Sequence, residues 1–113
     1  MRTRDEALDL AALLKRDIAG IFPSETIETI LYGSYARNDA DEGSDIDVLF
    51  LVDSPRNVIA AKNWQIGEAA GEILIEHGIV ISPIVENRDF FNEYQDPMPF
   101  FGNIKTEGIR LDV

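Results

Sequence analysis

Two aspartates, Asp45 and Asp47, stand two residues apart at the start of the apolar run DIDVLFLVD, residues 45–53. Side chains two apart on a β-strand point to the same side, so the two carboxylates would lie about 6–7 Å apart along the strand. Like charges held that close raise each other's proton affinity unless something neutralises them. A divalent cation such as Mg²⁺ is the best candidate, because it binds a few carboxylates together with phosphates and waters.

A Gly-Ser pair, Gly33-Ser34, precedes Asp45 by ten intervening residues and ends another apolar segment. Glycine lets the backbone approach a ligand closely, and a serine at the start of a helical turn offers its hydroxyl and backbone N–H groups to phosphate oxygens. A phosphate-binding turn beside paired Mg²⁺-binding carboxylates is the minimal equipment for nucleotidyl transfer. Each motif alone also fits a simpler interpretation, namely an ordinary turn and a solvated strand end.

The segments around these motifs alternate between helices and strands in the order α-β-α-β-α-β-α. The run 45–53 is apolar on both faces beyond Asp47, which indicates a central strand. Pro83 indicates an edge position or a bulge for the last strand. The predicted helices are 4–19, a short turn at 34–39 capped by Ser34, 54–78, 88–95 and 101–111; the predicted strands are 26–33, 45–53 and 79–86, with an irregular linker at 96–101.

The composition limits the possible partners. The chain has 113 residues, no cysteine, and 21 acidic against ten basic residues, which gives a formal net charge of −11. Such a surface repels phosphate backbones, so we expect no nucleic-acid polymer as a partner. We find neither a signal-peptide core nor a run of membrane-spanning length, which predicts a cytoplasmic protein with no membrane contact. The length fits one domain over residues 1–113.

The segment GSYARNDADEGSDIDVLFLVD resembles the signature of the DNA polymerase beta-type nucleotidyltransferase superfamily, which is Gly-Ser, ten residues and Asp-x-Asp. Arg37 and the run SDID at residues 44–47 resemble the minimal nucleotidyltransferases of bacteria and archaea, and they make Arg37 and Ser44 candidates for nucleotide binding. Arg37 could instead simply offset the acidic residues that follow it. The resemblance implies the nucleotidyltransferase fold, an α/β (α+β) arrangement with a mixed β-sheet flanked by helices.

The resemblance also implies roles for the motif residues. Gly33 and Ser34 would hold the β- and γ-phosphates of a nucleoside triphosphate. Asp45 and Asp47 would be catalytic carboxylates that bind two Mg²⁺ ions in the active complex, with Mn²⁺ as a substitute.

A third carboxylate is the point at which this chain departs from the superfamily. Active members carry it on a later strand, where it helps to activate the attacking hydroxyl. Here that strand reads IVISPIV at residues 79–85 and contains no acid. Ser82 could occupy the place, and Glu86 at the strand end is the nearest carboxylate, so Glu86 is the candidate third catalytic residue.

Two functions follow from these observations. The first is a Mg²⁺-dependent enzyme that moves an NMP group, most simply AMP, from a nucleoside triphosphate to a hydroxyl of a protein or small molecule. The resemblance extends to the antitoxin half of toxin–antitoxin pairs, in which the enzyme would adenylylate a tyrosine of a helical HEPN-type toxin. The second is a non-catalytic module that neutralises such a toxin by masking it. Either function needs a small helical partner protein or a second copy of the chain, because 113 residues leave no helical domain for an acceptor.

Several other residues are expected to have structural roles. His77, at a predicted helix C-terminus, is expected to interact with the helix dipole. Trp64 lies off the buried stripe of its helix, and Gly67 and Gly71 are expected to permit close packing. The aromatic segment 89–101 should complete the core, and any of its rings left exposed would form a surface for a partner.

Overall fold

The computed structural model describes residues 3–111, which form six helices and four strands. No helix in this range has the length and apolar character needed to cross a bilayer. The elements in chain order are α1 (Arg4–Ile21), β1 (Glu28–Tyr32), α2 (Gly33–Arg37), β2 (Ile46–Val52), α3 (Arg56–Ala61), α4 (Asn63–His77), β3 (Ile81–Asn87), α5 (Arg88–Glu93), α6 (Pro99–Glu107) and β4 (Ile109–Arg110).

The four strands form one mixed sheet in the order β3-β2-β1-β4. β1 runs antiparallel to β2 and β4, whereas β2 runs parallel to β3. Parallel neighbours need a crossover connection, which α3 and α4 supply. The predicted mixed sheet flanked by helices is confirmed. The strand order places β3 at an edge of the sheet, which confirms the edge position predicted from Pro83. A proline fits there because it cannot donate a hydrogen bond to a second neighbouring strand.

Helices cover both faces of the sheet, and each face has its own apolar cluster. On one face α1 and α4 pack over Leu31, Val48 and Phe50. On the other face α5 and α6 pack over Ile30, Leu49 and Leu51. Since side chains alternate along a strand, Asp45 and Asp47 point to the same side of β2 as Leu49 and Leu51. The charged end of β2 therefore lies beside α5 and α6.

The first helix forms for reasons that are visible in the sequence. Its N-terminus carries a capping box, in which the Thr3 side chain accepts from the Glu6 N–H and the Glu6 side chain accepts from the Thr3 N–H. Its apolar residues recur at helical spacing and are buried against the sheet: Ala7, Leu10, Ala11, Leu14 and Ile18. The helix continues two residues beyond the predicted end and stops at Ile21, with Phe22 as its C-cap.

Three differences from the prediction exceed a shift of one or two residues at the end of an element. The helix predicted for residues 54–78 is divided into α3 and α4 at Lys62, whose backbone (φ −105°, ψ 5°) leaves the helical range. The linker predicted for residues 96–101 ends early, because Pro99 is suited to the first turn of a helix and opens α6. The helix predicted for residues 101–111 ends at Glu107, and β4, two residues that pair with Ile30 and Leu31 of β1, follows it.

The predicted close packing at Gly67 and Gly71 is wrong. A Cβ atom added at either glycine would meet no atom within 4 Å. Both glycines lie on the side of α4 opposite its buried Ile66 and Ile73. They therefore face open space rather than another element of this chain.

Arg88 joins three elements at the end of the sheet where β2 finishes. Its guanidinium is 19% exposed and donates to the Glu28 carboxylate at 2.7 Å. It also donates to the Thr26 carbonyl at 2.7 Å and the Leu51 carbonyl at 3.3 Å, and it forms an ion pair with Asp53. Because Arg88 is the first residue of α5, these bonds hold α5 against β1 and β2.

We expect Arg88→Ala to lower the free energy of unfolding by about 2–3 kcal/mol, because it removes charge-assisted hydrogen bonds of a largely buried group. Urea unfolding followed by circular dichroism measures the loss. Arg110→Ala is the control, since Arg110 also bonds Glu28 at 2.7 Å but is 53% exposed; it should cost less than about 1 kcal/mol. Equal losses in the two variants would contradict the role given to Arg88.

Candidate active site

Three neighbouring strands bring Gly33, Asp47 and Ser82 into one row. Tyr32, the last residue of β1, pairs with Asp47 of β2, and Asp47 pairs with Ser82 of β3. Gly33 follows Tyr32 and opens α2. Asp45 stands just before β2, and its carboxylate oxygen Oδ2 lies 3.5 Å from the Ser82 hydroxyl Oγ. Segments far apart in the sequence therefore meet at one end of the sheet, and we call this set the site row.

Gly33 is fixed by its contact with Asp47. Its φ is +76°, a conformation that favours glycine, and a Cβ atom there would lie 2.4 Å from the Asp47 oxygen Oδ2. Any other residue would collide with the carboxylate. The backbone at the start of α2 and the Asp47 side chain are therefore held against each other.

The electrostatics of the row centre on Asp47, which is partly buried. Burial raises the pKa of Asp47, the Asp45 carboxylate raises it further, and the Arg37 charge opposes both. Burial, together with the Asp47 charge, raises the pKa of the Tyr32 hydroxyl to about 12. The two carboxylates thus repel each other, and the described charges compensate that repulsion incompletely.

Ser34 lies in the first turn of α2 without capping that helix. The N-cap is Tyr32, whose side chain makes no capping hydrogen bond, so the predicted cap at Ser34 is not what the structure has. The Ser34 carbonyl accepts the Asp39 N–H at 3.0 Å and closes the short helix. With the cap elsewhere, the Ser34 side chain stands beside Gly33 at the start of α2, where it could contact a phosphate.

Arg37 ends α2 and forms two ion pairs on the protein surface. It bonds Asp39 and Glu107, each at 3.2 Å. The Asp39 pair favours the interpretation that Arg37 offsets the acidic loop, and the Glu107 pair joins α2 to α6. The Arg37 charge nevertheless acts on Asp47, whose pKa it lowers. Arg37 thus borders the site row.

Ser44 shapes the loop that leads into β2. Its hydroxyl oxygen accepts the Asp41 N–H at 2.9 Å, and its own N–H donates to the Asp41 carbonyl at 3.1 Å. The Asp41 carboxylate in turn accepts the Gly43 N–H at 2.9 Å. These bonds close a compact turn directly before Asp45, so the structure gives Ser44 a bracing role rather than a place in the site row.

The structure does not bring Glu86 to the site row. Glu86 pairs with Leu51, four residues beyond the pairing of Ser82 with Asp47, which is about 13 Å along the strand. It is buried, accepts the Asn87 N–H at 2.7 Å and forms an ion pair with Arg56 at 3.2 Å. Ser82 is the residue opposite Asp47, and the position expected for a third carboxylate in the row thus holds a hydroxyl.

A pair of aromatic rings that the sequence did not predict lies beside the row. The Tyr32 ring meets the half-exposed Phe100 ring edge to face, with 5.8 Å between the centroids. Phe100 stands in the first turn of α6, a segment predicted as an irregular linker. The available signal was the helix-initiating proline before two aromatic residues at 99–101.

The donor set of the row could hold a divalent cation that prefers oxygen ligands. Asp45 and Asp47 present carboxylates on one side of β2, and their repulsion would be relieved by such an ion. No group of three or more His, Cys, Asp or Glu side chains within residues 3–111 is arranged to hold a metal. A cation here would therefore take two protein carboxylates and complete its coordination with waters and a phosphate ligand.

Comparison with known proteins supplies independent information. A family model described as "Nucleotidyltransferase domain" matches residues 13–98. A Methanocaldococcus jannaschii protein named "Putative protein adenylyltransferase" is 32% identical over 97 residues, which cover 86% of this chain and 96% of that protein. Two further proteins with this name, from the same organism, are each 35% identical over 70% and 68% of this chain, and the matches cover 71% and 53% of their own lengths. No solved structure matches the chain.

Replacing Asp47 with asparagine tests the repulsion in the row. Because the folded state raises the pKa of Asp47, the fold binds this proton more tightly than the unfolded chain does. Wild-type stability should therefore fall as pH rises from the ordinary aspartate pKa of 3.8 through the raised value. Without metal we expect Asp47→Asn to be more stable than wild type at neutral pH, and its advantage to disappear in acid below the ordinary pKa.

With divalent cations present, wild type should instead be more stable than Asp47→Asn. A cation bound at the row stabilises wild type by mass action, by about 2.7 kcal/mol at a concentration one hundred times its dissociation constant, and should do little for Asp47→Asn. Thermal melts in EDTA and in MgCl₂ measure both effects, with the exposed Asp96→Asn as the control. A full metal-dependent gain in Asp47→Asn would place the cation elsewhere.

Proposed function

The chain belongs to the nucleotidyltransferase domain family, and from that premise we propose that it is a Mg²⁺-dependent enzyme that transfers AMP from ATP to a hydroxyl group of a partner protein. The observation that carries the proposal is the site row, in which Gly33, Asp47 and Ser82 meet beside Asp45. The names of the three relatives support adenylyl as the transferred group and a protein as the acceptor.

The start of α2 and the aspartates of the site row have different roles in this proposal. The start of α2 and the Ser34 hydroxyl bind the β- and γ-phosphates, and Gly33 keeps the backbone close to them because it has no Cβ atom. Asp45 and Asp47 would hold Mg²⁺, or Mn²⁺ in its place, with two ions in the active complex. When bound, the metal would supply positive charge that offsets the charge of the phosphates and of the departing diphosphate.

The acceptor hydroxyl oxygen forms a bond to the α-phosphorus while the bond from that phosphorus to the oxygen that bridges it to the β-phosphate breaks; diphosphate leaves, and the hydroxyl proton passes to solvent. A hydroxyl opposite Asp47 is a poor base at neutral pH, so Ser82 gives the acceptor little help in losing its proton. General-base catalysis typically contributes about 10²- to 10⁴-fold. Transfer by this chain would then depend mainly on positioning and charge, and we expect it to be slow.

A second candidate function is favoured by one specific observation. The row offers two carboxylates and a serine where a third carboxylate is expected, and the buried Glu86 is occupied by Arg56. A module of this kind could bind a nucleotide and mask a small helical toxin without modifying it. The two functions differ in whether labelled AMP becomes attached to the partner.

Triphosphate binding tests the role of Ser34. We expect Ser34→Ala to weaken binding of ATP in the presence of Mg²⁺ by about 1 kcal/mol, the scale of one lost hydrogen bond, in titration calorimetry. Ser24→Ala, at an exposed turn before β1, is the control and should bind as wild type does. Unchanged affinity in Ser34→Ala would remove the hydroxyl from the phosphate site.

Transfer activity tests the assignment of Ser82. Ser82→Asp should place a third carboxylate opposite Asp47 and raise the rate by about tenfold or more, whereas Glu86→Gln should leave the rate unchanged. The assay uses labelled ATP and Mg²⁺ with the chain alone, and then with the protein encoded by the neighbouring reading frame. A rate lost in Glu86→Gln but not raised in Ser82→Asp would return the third-carboxylate role to Glu86. Tight partner binding without transfer by any variant would favour the masking module.

A further inference from the structure

The side of α4 that points away from the core carries an apolar stripe. Helical geometry places Trp64, Gly67, Gly71, Leu74 and Ile75 together on this side, and we call them the α4 stripe. The exposed fractions of Trp64, Leu74 and Ile75 are 68%, 45% and 85%. Side chains added at the two glycines would enter open space. The solvent side of a helix is normally polar, so this composition indicates a surface that another molecule covers.

One edge of the α4 stripe is acidic. Glu68, Glu72 and Glu76 follow one another at four-residue intervals and are all exposed. Glu68 and Glu72 also line a groove of about 370 Å³ between α4 and α1, together with Asp17 and Arg16. Three carboxylates thus share this groove with one guanidinium. The groove is suited to a lysine or arginine side chain supplied from outside.

The C-terminal end of the α4 stripe lies close to the site row. α4 ends at His77, and Val80, three residues further along the chain, is 43% exposed. The Val80 carbonyl accepts the Ile46 N–H at 3.0 Å, and Ile46 is the residue between Asp45 and Asp47. Three residues span at most about 10 Å, so the C-terminal end of α4 lies within about that distance of Val80, next to the strand that carries the row.

We propose that the α4 stripe is the docking surface for a helix of a partner protein, and that this helix carries small or aliphatic residues on one face and lysine or arginine along one edge of that face. Gly67 and Gly71 let the partner backbone approach closely, while Trp64 and Ile75 provide apolar contact on either side of them. The acidic groove receives the basic edge. This is the helix-in-groove mode of recognition, with charge complementarity setting the orientation.

A second copy of the chain is a poorer occupant. Each copy carries a formal charge of −11, and the α4 sequence NWQIGEAAGEILIEH contains no lysine or arginine to meet the glutamates of another copy.

Trp64 is the only tryptophan of the chain, so its fluorescence reports directly on the α4 stripe. The probes are two synthetic helical peptides of more than about 15 residues, with the same alanine and leucine face and with either lysine or glutamate along one edge. We expect the lysine-edged peptide to shift the Trp64 emission to shorter wavelength in a saturable titration, and the glutamate-edged peptide to leave it unchanged. No nucleotide is present, so the result is independent of the transfer reaction proposed above.

A first pair of variants tests close approach at the glycines. Gly71→Leu fills open space and should preserve the fold, but it should weaken binding of the lysine-edged peptide by about tenfold or more. Ala12→Leu, at an exposed position of α1, is the matched control and should bind as wild type does.

A second pair tests the acidic edge. Glu68→Lys with Glu72→Lys should abolish the preference for the lysine-edged peptide and favour the glutamate-edged one. Glu93→Lys with Asp96→Lys changes the net charge by the same amount at exposed positions outside α4 and should keep the original preference. A higher salt concentration should weaken binding of the lysine-edged peptide to the wild-type protein.

Four results would overturn the proposal. They are the absence of binding by either peptide, equal binding of both peptides, unchanged binding in Gly71→Leu, and a preference that follows net charge alone in the two charge-reversal variants. If instead the chain alone shows a concentration-dependent Trp64 shift and a dimer in sedimentation, both lost in Gly71→Leu, the occupant is a second copy and the basic partner helix is wrong.

Discussion

The approach of Gly33 to the Asp47 carboxylate is the constraint on which the site depends. A Cβ atom at Gly33 would lie 2.4 Å from the carboxylate oxygen, so the chain can end β1, turn into α2 and leave room for Asp47 only with glycine. The pairing of Tyr32 with Asp47 fixes which carboxylate meets that turn. A slip of one residue in this register would move Asp47, together with Asp45, to the face covered by α1 and α4 and away from Gly33.

Unfavourable and favourable electrostatic interactions lie at opposite ends of the sheet. At one end, burial and then the Asp45 charge raise the pKa of Asp47, and the opposing charge of Arg37 is shared with Asp39 and Glu107. At the other end, Arg88 satisfies Glu28, Asp53 and two carbonyl groups. β1 and β2 extend from one of these ends to the other, so the Arg88 network can hold both strands in place. The site row can therefore keep a repulsion between carboxylates that a bound cation would relieve.

Much of the architecture was predictable because its signals are local. The apolar stripe of α1, the two-sided burial of β2, the proline in edge strand β3 and the Gly-Ser and Asp-x-Asp spacing each predict their structural result. β4 was missed because two residues carry no periodicity. The break at Lys62 was missed because no glycine or proline marks it.

The third-carboxylate position shows a different limit of sequence reasoning. Ser82 and Glu86 are four residues apart on one strand, so alternation puts both on the same side and cannot choose between them. The choice depends on the register of β3 against β2, which pairs Asp47 with Ser82 and Leu51 with Glu86. That register arises from tertiary packing. Gly67 and Gly71 pose the same problem, because apolar residues occur on both sides of α4 and the sequence does not say which side meets the sheet.

The negative net charge of the protein has opposite effects on the two proposed ligands, a nucleoside triphosphate and a basic partner helix. A chain of net charge −11 repels a nucleoside triphosphate, and the paired carboxylates of the row strengthen that repulsion where we propose that the phosphates bind. In the proposed function a divalent cation would offset this repulsion, in addition to its effect on the reaction. A basic partner helix needs no such mediator, because the acidic edge of α4 attracts it directly. Val80 connects the two regions through the backbone, because it follows α4 in the chain and its carbonyl accepts the N–H of Ile46, the residue between Asp45 and Asp47.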